Sequence, residues 1–326
     1  MRGSYDVLVE NRRMQYKFTI RRNITVIRGD SATGKTTLVE MIQEFNDNGP
    51  ESGISLQCEK ECVVLAGRYW QNELEMIHNS IVFIDEGSRF VLSADFARKI
   101  QHSDNYYVII TRERLENIPY SVEEIYGIRN SGKYGALQKT YHEMFHLYEE
   151  EHARLPITFD SLLVEDSNSG YQFFQACCKP KNIACISANG KSNLFALASR
   201  QQAKTTLIIA DGAAFGPEMN RIEQLRKVKG NIHLFLPESF EWLLLSARFI
   251  DSRELDAILQ TPADYVESRD YFSWEQFFTT FLVHLTKGTI WNYQKKKLNP
   301  IYLHENNVKK VLIAAAPVLD SLEESH

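Results

Sequence analysis

The feature that most constrains this chain of 326 residues is a glycine-rich loop close to its N-terminus. The loop follows a short β-rich run at residues 24–27 and precedes an amphipathic segment that begins at Leu38, so the local order is strand, loop, helix. Its fixed positions match the spacing G-x-x-x-x-G-K-T. The residues of the loop are Gly29, Asp30, Ser31, Ala32, Thr33, Gly34, Lys35, Thr36 and Thr37.

This spacing predicts a phosphate-binding loop, with all of residues 29–37 contributing to a nucleotide site. Glycines let backbone N–H groups curl around phosphate oxygens, and the start of the following helix adds the positive end of its dipole. We expect Lys35 to reach the β- and γ-phosphates and the hydroxyl of Thr36 to ligate Mg²⁺. The alternative is an ordinary glycine turn before a helix, which does not explain why every fixed position matches.

A second apolar run supplies an acidic partner for the metal. Residues 81–84 are apolar without interruption, as in a parallel strand that is buried on both faces, and Asp85 and Glu86 follow directly. We expect Asp85 to hold Mg²⁺ through its water shell and Glu86 to orient or deprotonate the attacking water. For Asp85 alone, a turn residue at the end of a strand is the alternative.

A third apolar run, at residues 106–110, ends at Thr111. We expect the Thr111 hydroxyl to hydrogen-bond the γ-phosphate, and Arg112 or Arg114 to neutralise charge that develops there. A solvated strand end is the alternative interpretation of these residues.

Two β-rich runs at residues 5–10 and 16–20 predict a hairpin ahead of the loop. Together with the loop and the tandem Asp85-Glu86, this arrangement resembles the additional-strand P-loop ATPases, especially the ABC-type ATPase heads, over about residues 1–120. The resemblance implies ATP hydrolysis with Mg²⁺, in which Lys35 and Glu86 are catalytic. The chain departs from that family in lacking an LSGGQ-like signature between Lys35 and Asp85, and Thr111 stands where the family has a switch histidine.

The second half of the chain predicts a different domain, with a boundary near residue 150. Residues 137–151 read as a helix, and after residue 160 short apolar runs alternate with helical segments, which implies a parallel sheet. Acidic residues follow these runs and should therefore collect at one edge of the sheet. They are Glu165 and Asp166 after residues 161–164, Asp211 after residues 206–210, and Glu238 and Glu241 after residues 232–236.

This order, with the turn at residues 189–193, resembles the Toprim domain, the acidic metal-binding module of topoisomerases, primases and OLD-family nucleases. The resemblance covers about residues 160–245 and implies that Glu165, Asp211 and Glu241 bind Mg²⁺ ions that activate water for phosphoryl transfer. An ATPase head followed by a Toprim unit is the architecture of OLD-family nucleases, many of them associated with phage defence. The second carboxylate of the usual Asp-x-Asp is absent, because Gly212 and Ala213 follow Asp211.

The predicted fold is therefore α/β, with a P-loop NTPase domain containing a parallel sheet at residues 1–150. A Toprim-like α/β domain with a C-terminal helical extension is predicted at residues 151–326. The expected cofactors are ATP and Mg²⁺. The formal charge of −5 disfavours a surface that coats nucleic acid, so DNA or RNA contact is expected only at a local or metal-assisted site.

The chain lacks both a run of roughly 20 apolar residues and the apolar core of a secretory signal, so we expect a cytoplasmic protein without membrane contact. A homo-oligomer or a partner protein is compatible with the sequence, and a preference for ATP over GTP is not encoded in the motifs.

Three functions remain open at this point. The first is an ATPase coupled to a Toprim-like unit that cuts or binds nucleic acid, and the second is an ATP-gated switch whose inert carboxylate domain acts through a partner protein. The third is a small-substrate kinase, because a Val-Phe-Ile-Asp-Glu strand also occurs in thymidine kinase-like enzymes. For the second half, a plain α/β domain whose strand-end acids cap helices is a further alternative.

Overall fold

A computed structural model describes residues 1–29, 33–131, 139–148, 157–316, 318–319 and 322. Its contacts divide the chain into two compact units. The first unit is Met1–Tyr148 together with Thr261–Ser273, and the second is Glu149–Gln260 together with Trp274–His326. Residues 261–273 thus belong to the first unit, although the sequence pattern does not distinguish them from the second half of the chain.

Within the described residues, the strands of the first unit are β1 Tyr5–Glu10, β2 Met14–Ile20, β3 Ile24–Ile27, β4 Ser55–Gln57, β5 Cys62–Val64, β6 Ile81–Ile84, β7 Tyr106–Ile110, β8 Ile125–Asn130 and β9 Thr140–His146, and the helices are α1 Lys35–Asn48, α2 Trp70–Leu74 and α3 Ala94–Ile100. The strands form a nine-stranded mixed sheet in the order β4-β1-β2-β9-β8-β3-β7-β6-β5. The neighbours β8, β3, β7, β6 and β5 run parallel, β2 and β9 also pair parallel, and the pairs β4-β1, β1-β2 and β8-β9 are antiparallel.

The central strands of this sheet form because their side chains are apolar on both faces. Every residue of β3, β6 and β7 is buried, which is the pattern of parallel strands that are covered on both sides. The predicted hairpin before the loop is confirmed, since β1 and β2 pair antiparallel from Tyr5 opposite Ile20 to Glu10 opposite Gln15.

The helix predicted at residues 137–151 is wrong. Thr140–His146 forms β9, which pairs with β8 on one side and with β2 on the other. Long-range pairing on both sides therefore outweighs the local preference of this segment. Residues 137, 138 and 149–151 lie outside the described residues.

The second unit contains a four-stranded, wholly parallel sheet in the order β11-β10-β12-β13, with helices between the strands. The predicted strands after residue 160 are confirmed, as is the mixed α/β architecture. The strands are β10 Ser161–Val164, β11 Ala184–Ser187, β12 Thr206–Ile209 and β13 Ile232–Phe235, and the helices are α4 Ser169–Cys178, α5 Lys191–Arg200, α6 Gly216–Lys229, α7 Phe240–Ser246, α8 Arg253–Gln260, α9 Trp274–Thr286 and α10 Glu305–Ala314.

Within the part of the chain that the structure describes, no helix combines the length and the apolar composition needed to span a bilayer.

Candidate functional site

The glycine-rich loop joins the end of β3 to the start of α1, and its lysine reaches back across it. Lys35 is the first residue of α1 and is only 5% exposed. Its Nζ donates hydrogen bonds to the carbonyl oxygen of Gly29, at 3.0 Å, and to Oγ1 of Thr33, at 2.9 Å. Asp30, Ser31 and Ala32 lie outside the described residues. The lysine thus links the two ends of the loop.

Gly34 meets both a conformational and a steric requirement. Its φ of 94° lies in the left-handed region, and a Cβ at this position would be 2.7 Å from the hydroxyl oxygen of Tyr16. That hydroxyl donates to the carbonyl of Gly34 at 2.9 Å, and the Tyr16 ring stacks on His142 with ring centroids 4.4 Å apart. The sequence motif explains Gly34, but it gave no sign that Tyr16 and His142 support the loop from the neighbouring strands.

Asp85 lies directly after β6 and is partly buried. Its Oδ1 is buried and has no hydrogen-bond partner among the described residues. Leaving a buried polar atom unsatisfied costs about 1–3 kcal/mol, and a bound cation would remove that cost. Oxygen is the ligand that Mg²⁺ prefers, so Asp85 fits the metal role, while Thr36 and Thr37 lie in the first turn of α1.

Thr111 lies between the loop and Asp85, because β7 pairs with β3 on one side and with β6 on the other. It is buried, and its N–H donates to the carbonyl of Ile27 at 3.2 Å. Its Oγ1 accepts a hydrogen bond from the N–H of Glu113 at 3.0 Å. Thr111 therefore lies beside the strand that leads into the loop, and its predicted hydrogen bond to a γ-phosphate stays a prediction.

Glu86 and the two arginines after β7 are engaged in ion pairs at the surface. Nε of Arg112 lies 2.8 Å from Oε1 of Glu86, and Nη1 of Arg114 lies 2.8 Å from Oε1 of Glu116. The Arg112 and Glu86 side chains are 52% and 36% exposed. Exposed pairs of this kind are worth about 1 kcal/mol or less, so Glu86 is only weakly restrained.

The second unit brings Glu165, Asp211 and Glu241 together at the carboxyl ends of β10, β12 and β13. The N–H of Asp211 donates to Oε2 of Glu165 at 3.1 Å, and Oδ1 of Asp211 accepts from the N–H of Phe240, the first residue of α7, at 3.1 Å. Glu241 follows in the first turn of α7 and is buried. Parallel pairing therefore collects these predicted residues as expected.

Three further side chains complete this region, and the sequence rules missed all of them. Glu275, in the first turn of α9, has Oε1 2.7 Å from Nζ of Lys295, and that Nζ is 3.9 Å from Oε1 of Glu241. The hydroxyl of Tyr293 donates to Oε1 of Glu241 at 2.7 Å. We call Glu165, Asp211, Glu241 and Glu275 the acidic cluster.

Asp166 and Glu238, the other acidic residues predicted at this edge of the sheet, make other contacts. Oδ1 of Asp166 accepts from the N–H of Asn168 at 2.7 Å, and its Oδ2 accepts from the N–H of Gly170 at 3.0 Å, so this carboxylate caps the start of α4. Glu238 accepts the N–H of Ala213 with its main-chain carbonyl at 3.2 Å.

Burial, together with the crowding of carboxylates, shifts the pKa values in the acidic cluster. Burial, together with the charge of Glu275, raises the pKa of Glu165 to about 7. Burial and then the charges of Glu275, Glu165 and Glu241 raise the pKa of Asp211 well above its ordinary value. Burial alone would lower the pKa of Lys295, but the fields of Glu241 and Glu275 outweigh it and raise that pKa.

As placed, the acidic cluster does not fit a divalent metal ion. No group of three or more His, Cys, Asp or Glu side chains within the described ranges is arranged to hold one. The ammonium of Lys295 lies among these carboxylates instead, with Nζ 2.7 Å from Oε1 of Glu275 and 3.9 Å from Oε1 of Glu241.

No protein-family model matches this chain, and no curated protein is found that is similar to it in sequence. Function is therefore inferred from the geometry of the two sites.

The raised pKa of Glu165 predicts that the second unit is less stable at pH 8 than at pH 5. Between the ordinary value of 4.5 and about 7, the unfolded chain releases this proton while the folded chain keeps it. The free energy of unfolding therefore falls as pH rises through that window and levels off above it. We expect a difference of roughly 1–3 kcal/mol, since each pKa unit corresponds to about 1.4 kcal/mol.

Urea unfolding followed by tryptophan fluorescence measures this difference, because Trp242, Trp274 and Trp291 lie in the second unit and only Trp70 lies in the first. Glu165→Gln should reduce the pH difference, whereas Glu254→Gln, at an exposed position on α8, should leave it intact. An undiminished difference in Glu165→Gln would contradict the prediction.

Proposed function

We propose that the first unit binds a nucleoside triphosphate, ATP in the first instance, at the loop of residues 29–37 and hydrolyses it. The observation that carries this proposal is that the loop with Lys35 and the carboxylate of Asp85 follow two strands, β3 and β6, that run parallel in one sheet, together with the unsatisfied buried Oδ1 of Asp85. Mg²⁺-nucleotide chemistry requires a loop that binds the phosphates and a carboxylate that is available to the metal ion.

The spacing of the strands supports the proposal. Neighbouring strands lie about 4.8 Å apart, so β3 and β6, which are separated by β7, have carboxyl ends about 10 Å apart. That distance suits a phosphate chain bound at the loop with its metal on the side of Asp85. Thr111, at the end of the intervening β7, then faces the terminal phosphate.

Each residue has a role that follows from its position. Lys35 exchanges its bonds to Gly29 and Thr33 for bonds to the β- and γ-phosphates, and the backbone of the loop surrounds the remaining oxygens. Thr36 and Asp85 are the residues that would hold Mg²⁺, which when bound neutralises charge on the phosphates. Glu86 leaves Arg112 and orients or deprotonates the attacking water.

For the second unit, the geometry favours the switch over the nuclease. The acidic cluster contains the Lys295 ammonium within it and does not fit a divalent ion as placed, so no metal-dependent cleavage step is derived. We infer that nucleotide binding and hydrolysis in the first unit change how the chain engages a partner protein or another copy of itself. Nucleic-acid cleavage by a Toprim-like site, as in OLD-family nucleases, is the competing function and is tested below.

Replacing Lys35 by Met should reduce nucleotide hydrolysis by about 10²-fold or more, because the ammonium that neutralises the phosphates is lost. Phosphate release by the purified full chain, with ATP and with GTP, measures this effect. Lys17→Met, at an exposed position on β2, is the matched control and should behave as wild type. Wild-type turnover by Lys35→Met would exclude the loop as the nucleotide site.

Glu86→Gln should separate hydrolysis from binding. Without a base to act on the water, turnover should fall by about 10²-fold or more, while affinity for a fluorescent ATP analogue stays within about twofold of wild type. Glu116→Gln, which alters another exposed ion-pair carboxylate, is the control. Unchanged turnover would show that Glu86 has no role in the reaction.

If ADP forms only when a nucleoside or another hydroxyl acceptor is added, the kinase function is correct instead.

The switch proposal predicts that the full chain does not cut plasmid DNA, single-stranded DNA or RNA with Mg²⁺ or Mn²⁺, with or without ATP. The reason is that the carboxylates needed for two-metal chemistry already have partners within the fold: Oε2 of Glu165 accepts the backbone N–H of Asp211, and Glu275 is paired with Lys295. Gel assays with wild type and Asp211→Asn side by side test this. Cleavage that is present in wild type and absent in Asp211→Asn would establish the nuclease instead.

A further inference from the structure

The acidic cluster gathers carboxylates from separate elements of the second unit, and one ammonium group lies among them. Glu165 follows β10, Asp211 follows β12, Glu241 belongs to α7 and Glu275 belongs to α9. Nζ of Lys295 lies 2.7 Å from Oε1 of Glu275 and 3.9 Å from Oε1 of Glu241, and its charge also acts on Asp211. One lysine therefore contacts or influences most of the cluster.

Such a cluster needs a source of positive charge. Carboxylates that are drawn out of water and placed side by side repel one another, and each also loses its hydration. Three things can offset this cost: protons, a metal ion, or a cation that belongs to the chain itself. The geometry shows the third directly, as the ion pair between Lys295 and Glu275.

The segment that carries Lys295 is attached to the start of α4 by several contacts. The carbonyl of Lys295 accepts the N–H of Ser169 at 3.0 Å, and the carbonyl of Lys296 accepts Nε2 of Gln172 at 3.1 Å. Oε1 of the same Gln172 accepts the N–H of Leu298 at 2.9 Å. The hydroxyl of Tyr293 lies 2.6 Å from Oγ of Ser169 while it donates to Glu241. These hydrogen bonds hold the backbone around Lys295 in place, so the fold fixes the position of Lys295 at the acidic cluster.

We propose that Lys295 is the resident cation of the acidic cluster and occupies the position that a Toprim-like site would give to a divalent metal ion. The ammonium is tethered, so its effective concentration at the cluster is high and a free ion must displace it to bind. The second unit thus keeps its carboxylates together without a metal cofactor.

This inference concerns the second unit alone and does not depend on nucleotide chemistry in the first. If the nucleotide proposal fails, Lys35→Met will turn over ATP normally, and that result leaves the metal-binding properties of the acidic cluster untouched. If the inference about Lys295 fails, the phosphate-release assays are unaffected.

The test is Mn²⁺ binding to the nucleotide-free full chain, followed by electron paramagnetic resonance of the free ion. Wild type should have no Mn²⁺ site that depends on Asp211, so Asp211→Asn should bind Mn²⁺ as wild type does. Lys295→Met keeps the length of the side chain and removes its charge, so it should gain one Mn²⁺ site with affinity raised by about tenfold or more, and the added change Asp211→Asn should abolish that site. Lys296→Met, at the exposed neighbouring position, is the matched control and should bind Mn²⁺ as wild type does.

Two results would overturn the inference. One is a Mn²⁺ site in wild type that Asp211→Asn removes, and this comparison does not involve a variant of Lys295. The other is a folded Lys295→Met protein that gains no site. Should Lys295→Met fail to fold, Lys295→Gln offers a smaller, polar replacement for the same titration, and the wild-type measurement decides the matter in any case.

Discussion

Parallel strand pairing is the constraint on which both candidate sites depend. In each unit the strands that carry the predicted residues run in the same direction, so the chain leaves them all at one edge of the sheet. Asp211 thereby donates its N–H to Glu165 across 46 residues of sequence, and Thr111 donates to Ile27 beside the loop. Short strands that are buried on both faces fix this register, because a slip would misplace every residue at that edge.

The same property explains how much of the fold the sequence could predict. The runs that become β3, β6, β7, β10 and β12 are apolar at nearly every position. The sequence alone therefore indicates these strands, without knowledge of the strands that pair with them. By contrast, β9 is only partly buried along its length and exists because β2 and β8 pair with it from either side. The three-residue edge strands β4 and β5 are too short to show a periodicity. Local pattern therefore identifies the centre of the sheet and misses its periphery.

The candidate sites show a similar division. Motif spacing found Lys35 and the strand-end acids, because those positions are set by the chain next to them. Glu275 and Lys295 come from a helix start and a loop whose attachment to α4 depends on tertiary contacts, so no local rule connects them to Asp211. The triplet Lys295-Lys296-Lys297 is visible as a charged run, but its spacing does not reveal that the first lysine faces the carboxylates while Lys296 and Lys297 are exposed.

Strand-end carboxylates in this chain differ chiefly in how their charge is balanced. Both carboxylate oxygens of Asp166 accept backbone N–H groups at the start of α4, as in a helix cap. Asp211 accepts from the start of α7 and lies in the field of Lys295, so it has a backbone donor and a cation within its own unit. Oδ1 of Asp85 has no hydrogen-bond partner among the described residues. A carboxylate that already has a hydrogen-bond donor and a cation within the fold gains little free energy from binding a ligand. A buried carboxylate oxygen without a partner gains the free energy of a complete new contact. This difference supports our proposal of cation-dependent chemistry at the sheet edge of the first unit, and our proposal of a structural role for the acidic edge of the second unit.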